Sequence, residues 1–314
     1  MTGNFNLRRV ADIPCLLGEA PLWHPDEEKL YWADIMSGTL HSYHPKTEAV
    51  AQLYRGDPIG GLVLRSDGAL LLFQVEGRVR AWHAGQLTDV TAADPALRDC
   101  RFNDAVVAPS GDVLCGVMAW HWRLGGRAEK YRRRLRRLLR LARLRAPAPP
   151  GLYRWVGPGQ PCSLVRAAGL ANGAGFSPDL KRFYFTDSAR REIQVSAWDK
   201  GAAAFGDRRV FVKLSDNEGT PDGLTVDQEG FVWSAHWGGG CAVRYDPDGR
   251  IERRIELPAS NVTSLAFGGP DYRTLFITTA GGDVRDRNGS GAGALFCATP
   301  GVRGKPEFRV PVAA

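Results

Sequence analysis

The stretch GEAPLWHPDEEKLYWAD, residues 18–34, combines two strand-like runs with a turn between them. It becomes apolar after Glu19, turns at Pro25 and Asp26, and continues in the aromatic-rich run KLYWAD. This pattern predicts a β-hairpin. The acidic Glu19 stands at the start of a strand whose other residues are typical of a buried element. Similar segments elsewhere in the chain explain why an acid occupies this position.

Five further segments repeat this arrangement of a head residue, an apolar run and a turn. The six head residues are Glu19, Gly60, Asn103, Asn172, Asp222 and Ser264. A turn residue follows each head by seven positions: Asp26, Asp67, Ser110, Asp179, Glu229 and Asp271. Successive heads are 41, 43, 69, 50 and 42 residues apart. A period of about 42 residues, with several strands in each repeat, is typical of a β-propeller blade.

The repeat predicts an all-β fold, a six-bladed β-propeller that residues 1–314 form as a single domain. Independent hairpins of a β-sandwich would not require a constant distance from head to turn. Because a closed ring leaves no open edge between its first and last blades, one chain end is expected to complete the last blade. Two segments suit this role, the N-terminal FNLRRV and the C-terminal EFRVPV.

The head residues predict a metal site. In a propeller the innermost strand of each blade lines the central channel, so the six heads should surround one of its mouths. Carboxylates and amides occupy four of these positions, and neither His nor Cys occupies any. Such an oxygen set suits a hard divalent cation such as Ca²⁺. Turn or strand-cap chemistry accounts for any one of these residues but poorly for several that converge on one axis.

The second strand of each hairpin returns to the same mouth, so its end supplies further candidates. These are Asp34, Glu76, His121, Asp187 with Ser188, His236 with Trp237, and Thr278 with Thr279. For Asp34 and Asp187 a turn-capping or solvated role explains the residue as well as a site role does. His236 is either a substrate contact or a structural histidine.

Four motifs resemble the SMP-30/gluconolactonase/regucalcin-like family: LGEAPLW around Glu19, RFNDAVVAPSG around Asn103, GLANGAGFSPD around Asn172 and PDGLTVDQEG around Asp222. The resemblance covers about residues 17–303, apart from 123–150. It implies a six-bladed propeller with one divalent metal in the channel, held by Glu19, Asn172 and Asp222. It also implies that Arg101 and Asn103 contact the substrate. Family members usually hydrolyse sugar lactones, commonly with Ca²⁺ and in some members with Zn²⁺, Mn²⁺ or Fe²⁺.

The chain departs from the family after its GVMA run, residues 116–119. Characterised relatives often carry acids there, one of which helps to hold the sugar, whereas this chain has Trp120 and His121. The aromatic pair suggests either a less hydroxylated or more apolar lactone, or one with an acidic group. The expected substrate contacts are therefore Arg101, Asn103, His121 and His236.

These residues predict a metal-dependent hydrolase that opens a small-molecule lactone to its hydroxy acid. The metal would polarise the lactone carbonyl, and Asp222 would act as both metal ligand and general base. Two alternatives remain open at this stage. One is a non-catalytic calcium-binding or interaction propeller, and the other is an esterase or phosphoesterase that uses the same metal pocket.

Most of the positive charge lies in one insertion. The net charge is +7, but residues 123–145 contain eleven basic residues and one acid, which leaves −3 for the rest of the chain. The main body is therefore not expected to bind nucleic acid. The excess length of the third repeat predicts a basic helical insertion over about 123–150 near the channel mouth, with the helix over 127–145. Three roles suit it: a lid, contact with an anionic membrane surface, or contact with a partner or another subunit.

Composition also gives an expectation for the cellular compartment. The chain has no apolar run of 18 residues, and its first residues lack the apolar core of a signal peptide. Six scattered cysteines without a CxxC pair are typical of reduced thiols. The sequence thus predicts a cytoplasmic protein and leaves its oligomeric state open.

Overall fold

The computed structural model describes residues 5–120, 148–283 and 285–312. These residues form six four-stranded antiparallel sheets, the six blades of a β-propeller. Blade 1 contains β2 (Gly18–His24), β3 (Lys29–Asp34), β4 (Thr39–His44) and β5 (Ala49–Arg55). Blade 2 contains β6 (Gly61–Leu64), β7 (Leu70–Phe73), β8 (Val79–His83) and β9 (Gln86–Thr91). The predicted fold class is confirmed.

The other blades follow in chain order. Blade 3 contains β10 (Cys100–Val107), β11 (Val113–Ala119), β12 (Gly151–Trp155) and β13 (Ser163–Ala167). Blade 4 contains β14 (Ala171–Phe176), β15 (Arg182–Asp187), β16 (Glu192–Asp199) and β17 (Ala204–Lys213). Blade 5 contains β18 (Thr220–Val226), β19 (Val232–Trp237), β20 (Cys241–Tyr245) and β21 (Ile251–Glu256). Blade 6 contains β22 (Val262–Gly268), β23 (Thr274–Thr279), β24 (Leu295–Ala298) and β1 (Arg8–Ala11).

Packing between blades explains why the inner strands are apolar. The first strands of successive blades contact one another in cyclic order around the channel. The first and second strands of a blade are covered on both faces, as in β7, where all four residues of LLLF are buried. The outermost strands are largely exposed, as in β5. Side chains from neighbouring sheets form the apolar core between them.

The N-terminus closes the ring. Strand β1 pairs antiparallel with β24, so that Arg8 lies opposite Cys297 and Arg9 opposite Phe296. Of the two segments expected to complete the last blade, the N-terminal one does so. The last blade therefore combines residues from both ends of the propeller sequence, which ties the chain into a closed ring.

The C-terminal segment, residues 303–312, has a different role and is called the tail below. It crosses the end of the channel at which the hairpin turns lie. The Val310 amide donates to the Leu64 carbonyl, and its carbonyl accepts from the Ser66 amide, both at 2.8 Å. Arg309 Nη1 lies 2.7 Å from a carboxylate oxygen of Asp26. The tail lines a cavity of about 60 Å³ inside the channel.

Helical structure is sparse among the described residues. Four short 3-10 helices occur at Pro95–Leu97, Ser188–Arg190, Asp216–Glu218 and Arg285–Asn288. No helix in this part of the chain has the length and apolarity to span a membrane. The expected basic insertion at 123–150 falls almost entirely within 121–147, outside the described residues, so its helix stays a prediction.

Candidate active site

Irregular strand pairing shapes the mouth of the channel. In five of the six inner strands the pairing register shifts close to the head residue, for example between Glu19 and Leu22 and between Asn103 and Ala105. Ala20 and Asp104, directly after two of the heads, have φ values of 49° and 42°. A β-bulge of this kind turns the strand locally and redirects its side chains. The bulges therefore allow polar heads to gather at the channel mouth while the following residues stay in the sheet.

Two acidic heads share one buried environment. The side chains of Glu19 and Asp222 are each less than a tenth exposed. Burial raises the pKa of the Glu19 carboxyl well above its usual range, and the negative charges of Asp222 and Asp104 raise it further. Burial and Asp104 raise the pKa of Asp222 in the same way, while Arg101 opposes both shifts. The carboxyls thus lie close enough to repel one another when ionised.

A chain of hydrogen bonds connects the polar residues of blades 3, 4 and 5. Arg101 Nη1 donates to Asn103 Oδ1 at 2.6 Å, and Asn103 Nδ2 donates to Asn172 Oδ1. Asn172 Nδ2 in turn donates to Ser188 Oγ at 2.8 Å, and this hydroxyl donates to the Pro221 carbonyl at 2.6 Å. The chain ends next to Asp222. The structure therefore brings Glu19, Arg101, Asn103, Asn172 and Asp222 together at one mouth.

Arg101 is a buried cation in the site, with 6% of its surface exposed. Burial lowers its pKa to about 10, while the charges of Glu19 and Asp222 counteract this decrease. Its guanidinium carbon lies 5.8 Å from the centre of the Trp120 ring. Arg101 Nε and Trp120 Nε1 are buried and have no hydrogen-bond partner among the residues that the structure describes. Because unpaired buried donors are costly, oxygen atoms of a bound molecule would be favourable acceptors here.

Asp104 is a site residue that the sequence reasoning missed. Burial raises the pKa of its carboxyl to about 6. Asp104 also lines the cavity between the mouth and the tail. Its place directly after Asn103 was the only sequence signal, because the bulge at this point is seen in the structure alone. The strict period of two in a regular strand would have directed it away from the channel, so the repeat alone did not select it.

The donor set fits a hard cation. Glu19, Asp104 and Asp222 are three neighbouring acids, and among the described residues Arg101 is the basic group whose charge acts on both Glu19 and Asp222. A divalent cation would offset their repulsion, and the Asn172 amide would add a neutral oxygen of the type that Ca²⁺ accepts. Among the described residues, no three His, Cys, Asp or Glu side chains form a metal-binding group by themselves. The candidate set therefore depends on the amide.

The structure describes only one of the two histidines that were expected to contact substrate. His121 lies outside the described residues. His236 is fully buried, with Nδ1 3.0 Å from the Glu218 carbonyl and Nε2 3.2 Å from the Tyr245 hydroxyl. Burial lowers the pKa of its imidazole to about 4. Since both ring nitrogens have partners near their own blade, the geometry of His236 fits the structural alternative.

Two acids at the ends of second strands cap loops. Asp34 accepts hydrogen bonds from the amides of Leu16 and Leu17 at 2.9 and 3.0 Å. Asp187 accepts from the amides of residues 169 and 170 at 3.4 Å each. These contacts fit the capping role for both acids. Each acid holds the loop that leads into the inner strand of its own blade.

Fold and site together define a class of propellers with a buried polar centre at one channel mouth. Residues 17–281 match the model of the SMP-30/Gluconolactonase/LRE-like region. The chain belongs to this family, as its motifs predicted.

Relatives cover nearly the whole chain. It is 40% identical over 314 residues to pentonolactonase XacC of Haloferax volcanii, with 97% of this chain and 98% of the relative covered. It is 32% identical to a 6-deoxy-6-sulfogluconolactonase of Pseudomonas putida, covering 88% of each chain. The crystal structure of a calcium-binding protein, regucalcin, from Agrobacterium tumefaciens matches with a TM-score of 0.83 at 26% identity over 99% of each chain.

Proposed function

We propose that this protein hydrolyses a sugar lactone to the hydroxy acid at the channel mouth, with one divalent cation bound by Glu19, Asn172 and Asp222. The observation that carries the proposal is the convergence of buried oxygen donors from blades 1, 4 and 5 beside a buried Arg101. The enzyme class, a hydrolase of lactone esters, agrees with the names of the two lactonase relatives.

Different observations support the proposed substrate class and the proposed metal. The relatives named for pentonolactone and 6-deoxy-6-sulfogluconolactone both act on sugar lactones by name, which favours a five- or six-carbon lactone here. The relative described as calcium-binding favours a divalent metal, and the all-oxygen donor set favours Ca²⁺. Zn²⁺, Mn²⁺ and Fe²⁺ are the alternatives.

The cation, Asp222 and Arg101 have distinct parts in the proposed reaction. The bound cation would supply Lewis acidity for the lactone carbonyl. Asp222 would accept a proton from the attacking water while the water oxygen bonds to the carbonyl carbon. The bond from that carbon to the ring oxygen would then break, and the ring oxygen would take up the proton that Asp222 accepted, which gives the product hydroxyl and regenerates the carboxylate. Arg101 would donate hydrogen bonds to substrate oxygens.

Asn103 would hold Arg101 in place. Its Oδ1 accepts from Arg101 Nη1 while its Nδ2 donates toward Asn172. One amide therefore links the substrate-binding cation to the metal-binding amide. A small displacement of either end would be transmitted to the other, which suits a site that must position a lactone against a metal.

A lactone panel tests the proposal. Acid release is followed by pH indicator for pentonolactones, hexonolactones and unsubstituted lactones, with and without EDTA, and after addition of Ca²⁺, Zn²⁺ or Mn²⁺. We expect hydrolysis of at least one sugar lactone, its loss in EDTA and its return with one metal. Metal binding without hydrolysis would instead support the non-catalytic calcium-binding alternative. Faster turnover of phosphoesters or aryl esters would support the esterase alternative.

A further inference from the structure

We infer that Ser188 is a positioning residue that orients the Asn172 amide so that its oxygen faces the cation. The inference rests on the proposed metal site and adds a residue that supports it without binding the metal. Ser188 is buried directly after the end of β15, with 4% of its surface exposed. Its hydroxyl lies between Asn172 and the carbonyl that precedes Asp222, so it contacts two of the three proposed ligand segments.

The hydroxyl proton fixes the direction of the amide at its NH₂ end, while the Asn103 Nδ2 donor marks its oxygen end. Ser188 Oγ lies 2.6 Å from the Pro221 carbonyl oxygen, which can only accept a hydrogen bond. The single hydroxyl proton must therefore point to Pro221. At its other contact, 2.8 Å from the Asn172 side chain, the hydroxyl oxygen can only accept. The group facing Ser188 must be the NH₂ of Asn172, which leaves the amide oxygen Oδ1 on the opposite side.

Blade 1 offers an internal comparison that separates this role from folding. Ile35 occupies the position that Ser188 has in blade 4, directly after the capping acid of its second strand. The backbones match, since the Ile35 amide donates to the Leu17 carbonyl and the Ser188 amide donates to the Leu170 carbonyl, each at 3.0 Å. Ile35 is as buried as Ser188. This corner of a blade therefore accepts an apolar side chain without a hydroxyl.

The difference between the two blades follows their proposed metal ligands. Blade 1 contributes Glu19, a carboxylate with two equivalent oxygens that needs no partner to distinguish its ends. Blade 4 contributes Asn172, an amide in which only one end can bind a cation. A hydroxyl that accepts from the NH₂ is needed only for the amide. Partners of this kind around metal ligands typically change metal affinity by 10- to 100-fold.

Metal titration of the metal-free full-length protein tests the inference, with Ca²⁺ as the probe and calorimetry as the readout. We expect Ser188→Ala to raise the Ca²⁺ dissociation constant about tenfold. Ser188→Thr keeps the hydroxyl and should restore affinity to within about threefold of the wild type. The matched control is Ser234→Ala, which removes a fully buried hydroxyl in β19 and should leave affinity unchanged. Thermal melts of the metal-free variants report whether each one is folded.

A double-mutant cycle separates orientation of the amide from general support of the site. Asn172→Asp replaces the amide with a carboxylate, whose two oxygens are equivalent, so either of them can face the cation. In that background Ser188→Ala should change Ca²⁺ affinity by less than about twofold, so the two changes are not additive. Equal losses in both backgrounds, or an equal loss in Ser234→Ala, would overturn the positioning role.

The outcomes also separate this inference from the proposed function. Wild-type protein that binds no divalent cation would remove the metal site and the inference together. Wild-type protein that binds Ca²⁺ with the same affinity as Ser188→Ala would leave the metal site standing and remove only the role of Ser188.

Discussion

At the scale of single residues, the site is defined by an imbalance of charge. Glu19, Asp104 and Asp222 are neighbouring acids, and Arg101 provides the guanidinium that partly compensates for two of them. Burial of like charges is unfavourable unless a counter-charge is present. In the proposed function a divalent cation would provide that charge and would also activate the lactone carbonyl.

Asp222→Asn tests the proposed general base. The amide keeps an oxygen for the metal but cannot accept a proton, so we expect kcat to fall about 10²- to 10⁴-fold with the metal content retained. Activity and metal content are measured on the same preparation. Asp248→Asn changes an exposed acid in a turn of blade 5 and should match the wild type. Near-normal kcat in Asp222→Asn would exclude the base role.

Trp120→Phe tests the unpaired indole donor beside Arg101. Phenylalanine keeps an aromatic ring next to the guanidinium but removes the buried N–H, which has no acceptor within the described part of the chain. If that N–H donates to a substrate hydroxyl, kcat/KM for hydroxylated lactones should fall about three- to tenfold, while unsubstituted lactones change little. Trp82→Phe, in β8, is the control. An equal effect on both substrate groups would contradict the donor role and favour the apolar-lactone interpretation.

The sequence predicted the positions of the site residues better than their partners. The head residues could be found because they recur at a fixed distance from a turn. Asp104 could not, because only the bulge in β10 directs it toward the channel. The bridging contacts of Ser188 were also out of reach, because they join residues 16 and 33 positions away along the chain.

At the scale of structural elements, the hairpin is the unit that the sequence specifies. The apolar run, the turn and the second strand correspond to the first two strands of every blade. The third and fourth strands carry a weaker signal because their outer faces are exposed, as in β5 and β21. Buried polar residues then join strands within a blade, as His236 does in blade 5.

His236 predicts a pH-dependent stability. Its pKa is lowered to about 4 in the folded protein, below the value of about 6.5 for an unfolded chain. Between these pH values the unfolded state therefore binds more protons than the folded state. The contribution of His236 to stability is fully present above pH 6.5 and decreases as the pH falls. We expect the His236 contribution to the free energy of unfolding to decrease by about 2 kcal/mol between pH 7 and pH 5.

Denaturant unfolding of wild type and His236→Gln at both pH values measures this contribution. Glutamine does not titrate, so the difference in unfolding free energy between the two proteins should shrink at pH 5. A difference that stays constant with pH would show that His236 is not buried in its neutral form. The comparison cancels the titration of the carboxyls, which both proteins share.

In the molecule as a whole, the N-terminal segment closes the ring and the C-terminal tail covers one end of the channel. The N-terminal strand completes blade 6 and closes the ring. The tail crosses the opposite end of the channel and joins turns of several blades, with the Gln228 amide donating to the Arg303 carbonyl and the Gly304 amide to the Tyr272 carbonyl. The sequence offered both ends for ring closure. Pairing with β24 decides between them, and this contact is too distant along the chain to infer from local patterns.

Deletion of the tail tests its stabilising role. Removing residues 303–314 takes away the buried Val310 and the partly buried Phe308, which pack against the core of blades 2 and 3. We expect the free energy of unfolding to fall by about 3 kcal/mol or more, with the propeller still folded by circular dichroism. Arg309→Gln removes only a partly exposed ion pair and should cost less than about 1 kcal/mol. Unchanged stability of the deletion would contradict this role.

The proposed metal site is tested most directly by a crystal grown with Ca²⁺, in which anomalous diffraction locates the ion. We expect one strong peak on the channel axis, about 2.3–2.6 Å from side-chain oxygens of Glu19, Asn172 and Asp222. A peak bound by other residues, or a fully occupied substrate pocket without a metal at these three oxygens, would contradict this expectation.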